Sequence, residues 1–147
     1  MKYLRGLIII PFLSMLTTTC AQDLSEHRWQ NRLIIILAED AANPAMLQQI
    51  AEFKQDQVAL EERRLVVYQV LPNRYRQGLD TQTSWTNSST LYEQFNTAQA
   101  PFQVFLLGLD GGVKLRQQAP VSREDIFDLI DTMPIRRAEM RRKKGLK

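Results

Sequence analysis

Residues 33–38 read Leu-Ile-Ile-Ile-Leu-Ala, a continuous apolar run with three β-branched side chains. Such a run predicts a strand buried on both faces, which is typical of a parallel sheet. Asn43-Pro44 follows and supplies a helix N-cap and a first-turn proline. Helical spacing of apolar residues then predicts one helix from about Pro44 to about Glu62, and residues 65–71 predict a second strand. The first half of the chain therefore predicts a right-handed βαβ unit.

The second half predicts further elements after a long polar connection, residues 72–88, which shows no periodicity. These elements are a helix from Thr90, a strand at 102–107, a hairpin turn at Asp110-Gly111-Gly112, a strand at 113–116 and a last helix from Ser122. The order βαβαββα predicts an α/β, thioredoxin-like mixed sheet with helices on both faces. Pro101 precedes the third strand, where thioredoxins place a cis proline.

The N-terminal segment has the pattern of a signal peptide. Two basic residues precede an apolar run from Gly6 to Leu16, and small and polar residues follow. This pattern predicts export and removal of residues 1–21, so that the mature chain begins at Gln22. Alternatively, Cys20 is the lipid-modified first residue of a membrane-anchored lipoprotein, with a leader of residues 1–19. In either case the protein is expected in the periplasm or outside the cell.

The formal net charge of +3 is divided unevenly along the chain. Residues 136–147 hold seven basic residues and one acidic residue, which predicts a basic C-terminal tail. Residues 22–135, the predicted thioredoxin-like domain, carry a net charge of −5. A mildly acidic domain argues against a nucleic-acid-binding face. The tail is interpreted either as a segment that attracts anionic surfaces or as a solvated terminus.

The first strand-to-helix junction, residues 38–44, is where a thioredoxin-like enzyme would carry Cys-x-x-Cys. Cys20 is the only cysteine in the sequence, so thiol-redox chemistry is not expected for this domain. Ligands of open α/β sheets often lie at the carboxyl ends of strands, which makes Glu39, Asp40 and Pro101 candidates for a remnant pocket. The alternative is that the two carboxylates solvate a loop and help to cap the helix. No metal or cofactor site is predicted.

Two tryptophans and the single histidine are also candidates. Trp85 lies in the long polar connection with Arg74 and Arg76, and it is either a ligand contact or an anchor that pins the connection to the domain. Trp29 is predicted to pack at the edge of the core with its indole N–H bonded. His27 is predicted to be a surface or packing residue, because a metal site usually needs several ligands.

Basic residues near the C-terminus suggest a possible patch. Lys114 and Arg116 alternate onto one strand face, and together with Arg136 and Arg137 they predict a basic binding surface. The alternative is an ordinary solvated sheet face.

Three segments resemble a known family: Arg28-Trp-Gln-Asn-Arg32, Asp110-Gly-Gly-Val-Lys-Leu-Arg116 and Asp131-Thr-Met-Pro-Ile-Arg-Arg-Ala-Glu-Met140. They are similar to the bacterial domain of unknown function 4174, to which a domain of vertebrate sushi-repeat extracellular proteins is related. The resemblance covers roughly Asp23 to Arg142 and implies a thioredoxin-like fold and an exported location, without a function. Two departures are visible, because Leu109 stands where Lys is expected and His27 where an aromatic is usual.

Three functional hypotheses follow from these observations. The first is an exported, non-catalytic binding module for an envelope protein, an extracellular protein or an anionic surface. The second is an enzyme that uses Glu39 or Asp40 as acid or base. The third is a structural lipoprotein that is anchored to a membrane through Cys20.

Overall fold

The computed structural model describes residues 24–145. Within this range the strands are β1 (Arg32–Ala38), β2 (Leu65–Leu71), β3 (Arg74–Gln77), β4 (Thr86–Asn87), β5 (Phe102–Leu107) and β6 (Val113–Gln117). The helices are a short 3-10 helix (Leu24–His27), α1 (Pro44–Lys54), α2 (Gln57–Glu62), α3 (Thr90–Phe95), α4 (Arg123–Thr132) and α5 (Pro134–Gly145). The predicted leader and the lipidation of Cys20 lie outside the described residues.

The described strands form one sheet in the order β4-β3-β2-β1-β5-β6. β1 runs parallel to β2 and antiparallel to β5, so that Ile35 lies opposite Tyr68 on one side and Phe105 on the other. All seven residues of β1 are buried, because the strand is central and both faces of the sheet are covered. The predicted buried strand and βαβ unit are therefore confirmed.

Alternate residues of the central strands pack on opposite faces of the sheet. Ile34 and Ile36 belong to a core cluster with side chains of α1, α2 and α4, and we call this side the three-helix face. Leu33 and Ile35 belong to a second cluster with side chains of α3, which we call the α3 face. This mixed α/β architecture, with helices on both faces, is consistent with the predicted thioredoxin-like fold.

The prediction of one helix from Pro44 to Glu62 is wrong, because two helices occupy this range. α1 ends at Lys54, and Asp56 adopts φ −147° and ψ 74°, which no helix accommodates. The Asp56 carboxylate accepts the backbone N–H of Ala59 at 3.0 Å and starts α2 as its N-cap. The local hydrogen bond of this aspartate competes successfully with continuation of the helix.

Residues 72–88 contain regular structure that their polar sequence does not indicate. The chain turns at Pro72-Asn73 into β3, which pairs antiparallel with β2, and β4 then pairs antiparallel with β3. Both strands are short and lie at the side of the sheet, where polar side chains are normal. The sequence therefore lacks the apolar alternation by which half-buried strands are recognised.

The basic C-terminal segment is a helix rather than an irregular tail. Met133, with ψ 138°, separates α4 from α5, and Pro134 occupies the first position of α5. The predicted boundary between residues 135 and 136 thus falls inside α5. Among residues 24–145, no helix combines the length and the apolar character needed to cross a bilayer.

Candidate functional site

The carboxyl end of β1 meets the start of β5, which brings the backbone of Glu39 against that of Pro101. The backbone N–H of Glu39 donates to the carbonyl of Pro101 at 3.2 Å, and the Asn43 side-chain amide approaches the same carbonyl at 3.5 Å. The Asp40 carboxylate accepts a backbone N–H at 3.0 Å, while the Asn43 oxygen caps α1 through the N–H of Ala45 at 2.9 Å. No peptide bond within residues 24–145 is cis, so Pro101 follows a trans bond. These polar groups act in the loop and the helix cap.

His27 is buried and forms a hydrogen-bonded group with two neighbours. Its Nε2 lies 2.8 Å from the hydroxyl of Tyr68, and the amide of Asn31 donates to its Nδ1 at 3.2 Å. Because Nδ1 accepts a hydrogen bond, the proton of the neutral ring is on Nε2. Within residues 24–145, no three or more His, Cys, Asp and Glu side chains are placed to hold a metal ion. His27 is thus buried in a hydrogen-bonded contact with Tyr68 and Asn31.

Arg74, Arg76 and Trp85 form a cluster that we call the arginine–tryptophan stack. The two arginines are two positions apart on β3 and so share one face of the sheet. Because Tyr75 pairs with Thr86, the preceding residue, Trp85, lies across from Arg76. The guanidinium carbons of Arg74 and Arg76 lie 4.8 and 4.4 Å from the indole ring centroid. Both distances are those of cation–π contacts.

A buried glutamine fixes the position of Arg76. The Nη2 of Arg76 donates to the side-chain oxygen of Gln69 at 2.8 Å, and the Gln69 amide donates to the carbonyl of Gly78 at 2.8 Å. Gln69 is fully buried in β2, and Arg76 pairs with it across the strands. A second, longer bond runs from Arg76 Nη1 to the carbonyl of Thr81 at 3.4 Å. The guanidinium is thus oriented before any ligand arrives.

No carboxylate of the described residues neutralises the arginine–tryptophan stack. Among residues 24–145, no Asp or Glu oxygen lies within 4.0 Å of either guanidinium. The Nε of Arg76 is buried without a hydrogen-bond partner in the same part of the chain. Burial, followed by the nearby charge of Arg74, lowers the pKa of Arg76 below its ordinary value. Two half-buried cations held side by side form a site that an oxyanion would stabilise.

A second group of arginines is paired with carboxylates, and we call it the buried arginine network: Arg32, Arg63, Arg136, Asp131 and Glu139. Asp131 accepts hydrogen bonds from Arg136 at 2.9 Å and from Arg63 at 2.6 Å. Arg32, which is only 1% exposed, lies 3.5 Å from the carboxylate of Glu139 and donates to the carbonyl of Arg63 at 2.9 Å. The network fastens α5 to the ends of α2, α4 and β1.

The four residues of the predicted basic patch have separate roles. Lys114 pairs with Asp110 at 2.7 Å. Arg116 donates twice to the side-chain oxygen of Gln103, at 3.0 and 2.9 Å. Arg136 is buried in the network described above, whereas Arg137 is exposed on the next position of α5. The structure therefore does not bring Arg136 into a surface patch, since its guanidinium bonds inward to the nearby Asp131 carboxylate and to the backbone carbonyl of Glu62.

The prediction that Trp29 packs at the edge of the core is wrong, because its side chain is 62% exposed. The residue follows the 3-10 helix with φ +66°, and its backbone N–H donates to the carbonyl of Leu109 at 2.6 Å. The left-handed turn directs the indole outward rather than onto the core. It lines a pocket of about 340 Å³ together with Leu109, Lys114 and residues 133–135.

The three segments that carry the family resemblance meet at this pocket. The first supplies Trp29, the second supplies Asp110 and Lys114, and the third supplies residues 133–135. The hairpin turn between β5 and β6 is confirmed, with Gly111 at φ +79° and its N–H bonded to the carbonyl of Gly108 at 2.9 Å. The segments are distant in sequence and form one surface only in the fold.

Comparison with known proteins agrees with this resemblance. The family model described as Domain of unknown function (DUF4174) matches residues 23–139, which span every described strand of the sheet and all five residues of the buried arginine network. No solved structure matches the chain. Because the matched range covers most of the sequence, the chain belongs to the DUF4174 family.

Proposed function

We propose that this protein is an exported, non-catalytic module that binds an anionic ligand at the arginine–tryptophan stack. The proposal rests on one observation: Arg74 and Arg76 contact the same indole, and no carboxylate of residues 24–145 lies within 4.0 Å of either guanidinium. An oxyanion of the ligand, either carboxylate or phosphate, supplies the missing charge.

The geometry of stacking favours recognition of an oxyanion. A guanidinium that lies on an aromatic ring keeps its N–H groups in its own plane, available at the rim of the ring. Arg76 is already held by Gln69 at 2.8 Å, so little conformational freedom remains to be lost on binding. The planar fork of Arg74 supplies a second set of donors to the same oxyanion.

The net negative charge of the surrounding domain confines the attraction of anions to the stack. Residues 22–135 carry a net charge of −5, so the two cations stand out against an acidic domain. Attraction of an anion is then local to the stack and weakens as salt is added. The Glu39–Asp40 junction supports a non-catalytic role, because Asp40 already accepts a backbone N–H at 3.0 Å within its own loop.

Isothermal titration calorimetry at about 0.15 M salt, where the Debye length is about 8 Å, tests the proposal. The probes are a glutamate decapeptide and a polyphosphate chain of similar length, with neutral dextran as the uncharged control. We expect R74Q/R76Q to bind the better probe at least about tenfold more weakly, because hydrogen bonds to charged groups each contribute roughly 1.5–3 kcal/mol.

The matched control is R141Q/R142Q, which removes two exposed charges from α5. We expect it to weaken binding less than about threefold, as distant exposed charges are screened at this salt concentration. Preference for the decapeptide or for polyphosphate identifies the ligand as a carboxylate or a phosphate. Equal losses in the two double variants, or no binding of either probe, would contradict the proposed site.

Export is part of the same proposal and is supported by the pattern of the N-terminal residues. Intact mass measurement of the protein recovered from its native envelope separates the two processing routes. A chain that begins at Gln22 indicates signal-peptidase cleavage, and a lipid-bearing Cys20 indicates an anchored lipoprotein. A recovered mass that still includes Met1 would contradict export.

A further inference from the structure

β6 lies at one side of the sheet, at the opposite end from β4. Four of its five residues are exposed, and within residues 24–145 no strand pairs with its outer side. Such a strand leaves a row of backbone N–H and C=O groups available for pairing. Extended peptides bind many domains by adding one strand to an edge of this kind.

Apolar side chains are exposed at the start of β6 and at the pocket that Lys114 of this strand lines. Val113, the first residue of the strand, is 54% exposed, while Trp29 and Ile135 are 62% and 45% exposed. Trp29 and Ile135 line the pocket of about 340 Å³, with the buried Leu109 beside them. Exposed apolar side chains that line one pocket beside an open strand, as Trp29 and Ile135 do, mark an interaction surface rather than isolated exposure.

The backbone at Trp29 holds the indole in this exposed position. A left-handed conformation is strained for a residue other than glycine, and Trp29 adopts it with φ +66°. The hydrogen bond from its N–H to the carbonyl of Leu109, at 2.6 Å, fastens the turn to the β5–β6 hairpin. Strained residues that the rest of a fold holds in place concentrate at binding sites.

The charges on β6 favour pairing with a segment of another protein over pairing with β6 of a second copy of this chain. If two copies paired antiparallel about Leu115, Lys114 of one would face Arg116 of the other, and like charges directly opposite destabilise a sheet. An acidic segment would instead place one carboxylate opposite Arg116 and another opposite Lys114, where it would compete with Asp110, which pairs with Lys114 at 2.7 Å. Arg116 is held in place by its two hydrogen bonds to Gln103, at 3.0 and 2.9 Å.

We propose that β6 and the pocket beside it dock an extended, acidic segment of a partner protein, which adds a strand to the sheet and packs an apolar side chain against Trp29. This surface is separate from the arginine–tryptophan stack, because β6 and β3 lie on opposite sides of the central strands. The module then has one site for a small oxyanion and another for a protein segment.

The test uses a fluorescein-labelled peptide in which Glu alternates with Val and Leu, and a control peptide with Lys in place of every Glu. Both are titrated into R74Q/R76Q protein by fluorescence polarisation, so that binding at the stack does not contribute. We expect the Glu peptide to bind at least about tenfold more tightly, because opposite charges stabilise a cross-strand pair in a sheet and like charges destabilise it. Binding of the Glu peptide should also shift the amide resonances of residues 113–117.

Trp29→Gly separates binding from folding. Glycine accepts a positive φ without strain, so we expect an unchanged or higher melting temperature together with about tenfold weaker binding of the Glu peptide. Ile135→Glu, at an exposed position, provides a second variant that repels the acidic probe. Equal binding of the Glu and Lys peptides, unchanged affinity in both variants, or resonance shifts confined to other strands would overturn the proposal.

Discussion

The buried arginine network and the arginine–tryptophan stack use the same side chain in opposite ways. In the network, Arg63 and Arg136 share the carboxylate of Asp131 at 2.6 and 2.9 Å. In the stack, Arg74 and Arg76 share an indole at 4.8 and 4.4 Å. An arginine paired with carboxylates within the chain has its charge neutralised, whereas one that rests on an aromatic ring retains its charge, which the proposed anionic ligand would neutralise.

We therefore expect the network to govern stability and the stack to govern anion binding. Removal of a carboxylate from the network leaves a buried guanidinium without a counter-charge. The free energy of unfolding should therefore fall, while anion binding should not change. Changes in the stack should reduce binding and leave folding nearly intact, because its cations are half-exposed. The predictions below begin with the largest expected effect.

Glu139→Gln should give the largest effect on folding. Arg32, at 1% exposed, would lose its carboxylate partner at 3.5 Å, and the free energy of unfolding should fall by roughly 3 kcal/mol. Urea unfolding at neutral pH measures the change. The matched control is Glu124→Gln, which breaks the exposed pair with Arg123 and should cost less than about 1 kcal/mol. If the two variants were equally stable, the network would not hold α5 as described.

Gln69→Glu would give the stack the carboxylate that the network already has. The new charge lies where Gln69 now accepts from Arg76 at 2.8 Å, so it should compete with the anionic ligand and weaken its binding by about tenfold. The new ion pair offsets the lost hydrogen bond to Gly78, and the free energy of unfolding should change by less than about 1 kcal/mol. Calorimetry and urea unfolding of one preparation measure both quantities. Tighter anion binding by this variant would contradict the account.

Trp85→Leu should weaken anion binding by a smaller factor. Leucine retains apolar packing but removes the ring that orders both guanidiniums, and cation–π contacts of this kind are worth about 0.5–1 kcal/mol each. A loss of roughly fivefold to tenfold in affinity is expected by calorimetry. Trp85→Phe keeps a ring and should retain most of the affinity. Equal affinities for the Leu and Phe variants would show that the ring does not order the cations.

The smallest expected effect concerns acid stability. Burial opposes ionisation of Asp131, but hydrogen bonds from Arg136 and Arg63 outweigh it and hold its pKa below the ordinary value of 3.8. A carboxyl with a lowered folded-state pKa stabilises the protein above its unfolded-state pKa, and this contribution disappears as pH falls through the folded value. Asp131→Asn should lower the free energy of unfolding by about 1 kcal/mol at neutral pH and by little at pH near 2. The effect is modest because solvent screens the charge of this partly exposed side chain. Parallel unfolding curves that differ equally at both pH values would contradict this assignment.

Local patterns predicted the centre of the fold. The run Leu33–Ala38 gave a strand buried on both faces, and Asp110-Gly111-Gly112 gave a hairpin, because each depends on neighbouring residues. The split at Asp56 was missed, since a capping side chain outweighed continuous helical spacing. The exposure of Trp29 was also missed, because nothing in the sequence indicates its positive φ.

The candidate site was only partly predictable. Arg74 and Arg76 stand two apart, a spacing that would have placed both on one side of a strand if β3 had been recognised. Arg136 is not a surface charge, because its Nη1 donates to the backbone carbonyl of Glu62, 74 positions earlier, at 2.8 Å. A hydrogen bond to so distant a carbonyl is a property of the fold and leaves no local sequence signal.

The central claim, that an anion binds at the arginine–tryptophan stack, is tested most directly by the fluorescence of Trp85 itself. The sequence contains two tryptophans, so Trp29→Phe leaves Trp85 as the sole indole reporter. Titration with the preferred probe should change its emission with the midpoint measured by calorimetry, and R74Q/R76Q should abolish the change. Calorimetric binding with no change in Trp85 emission would place the anion elsewhere and contradict the account.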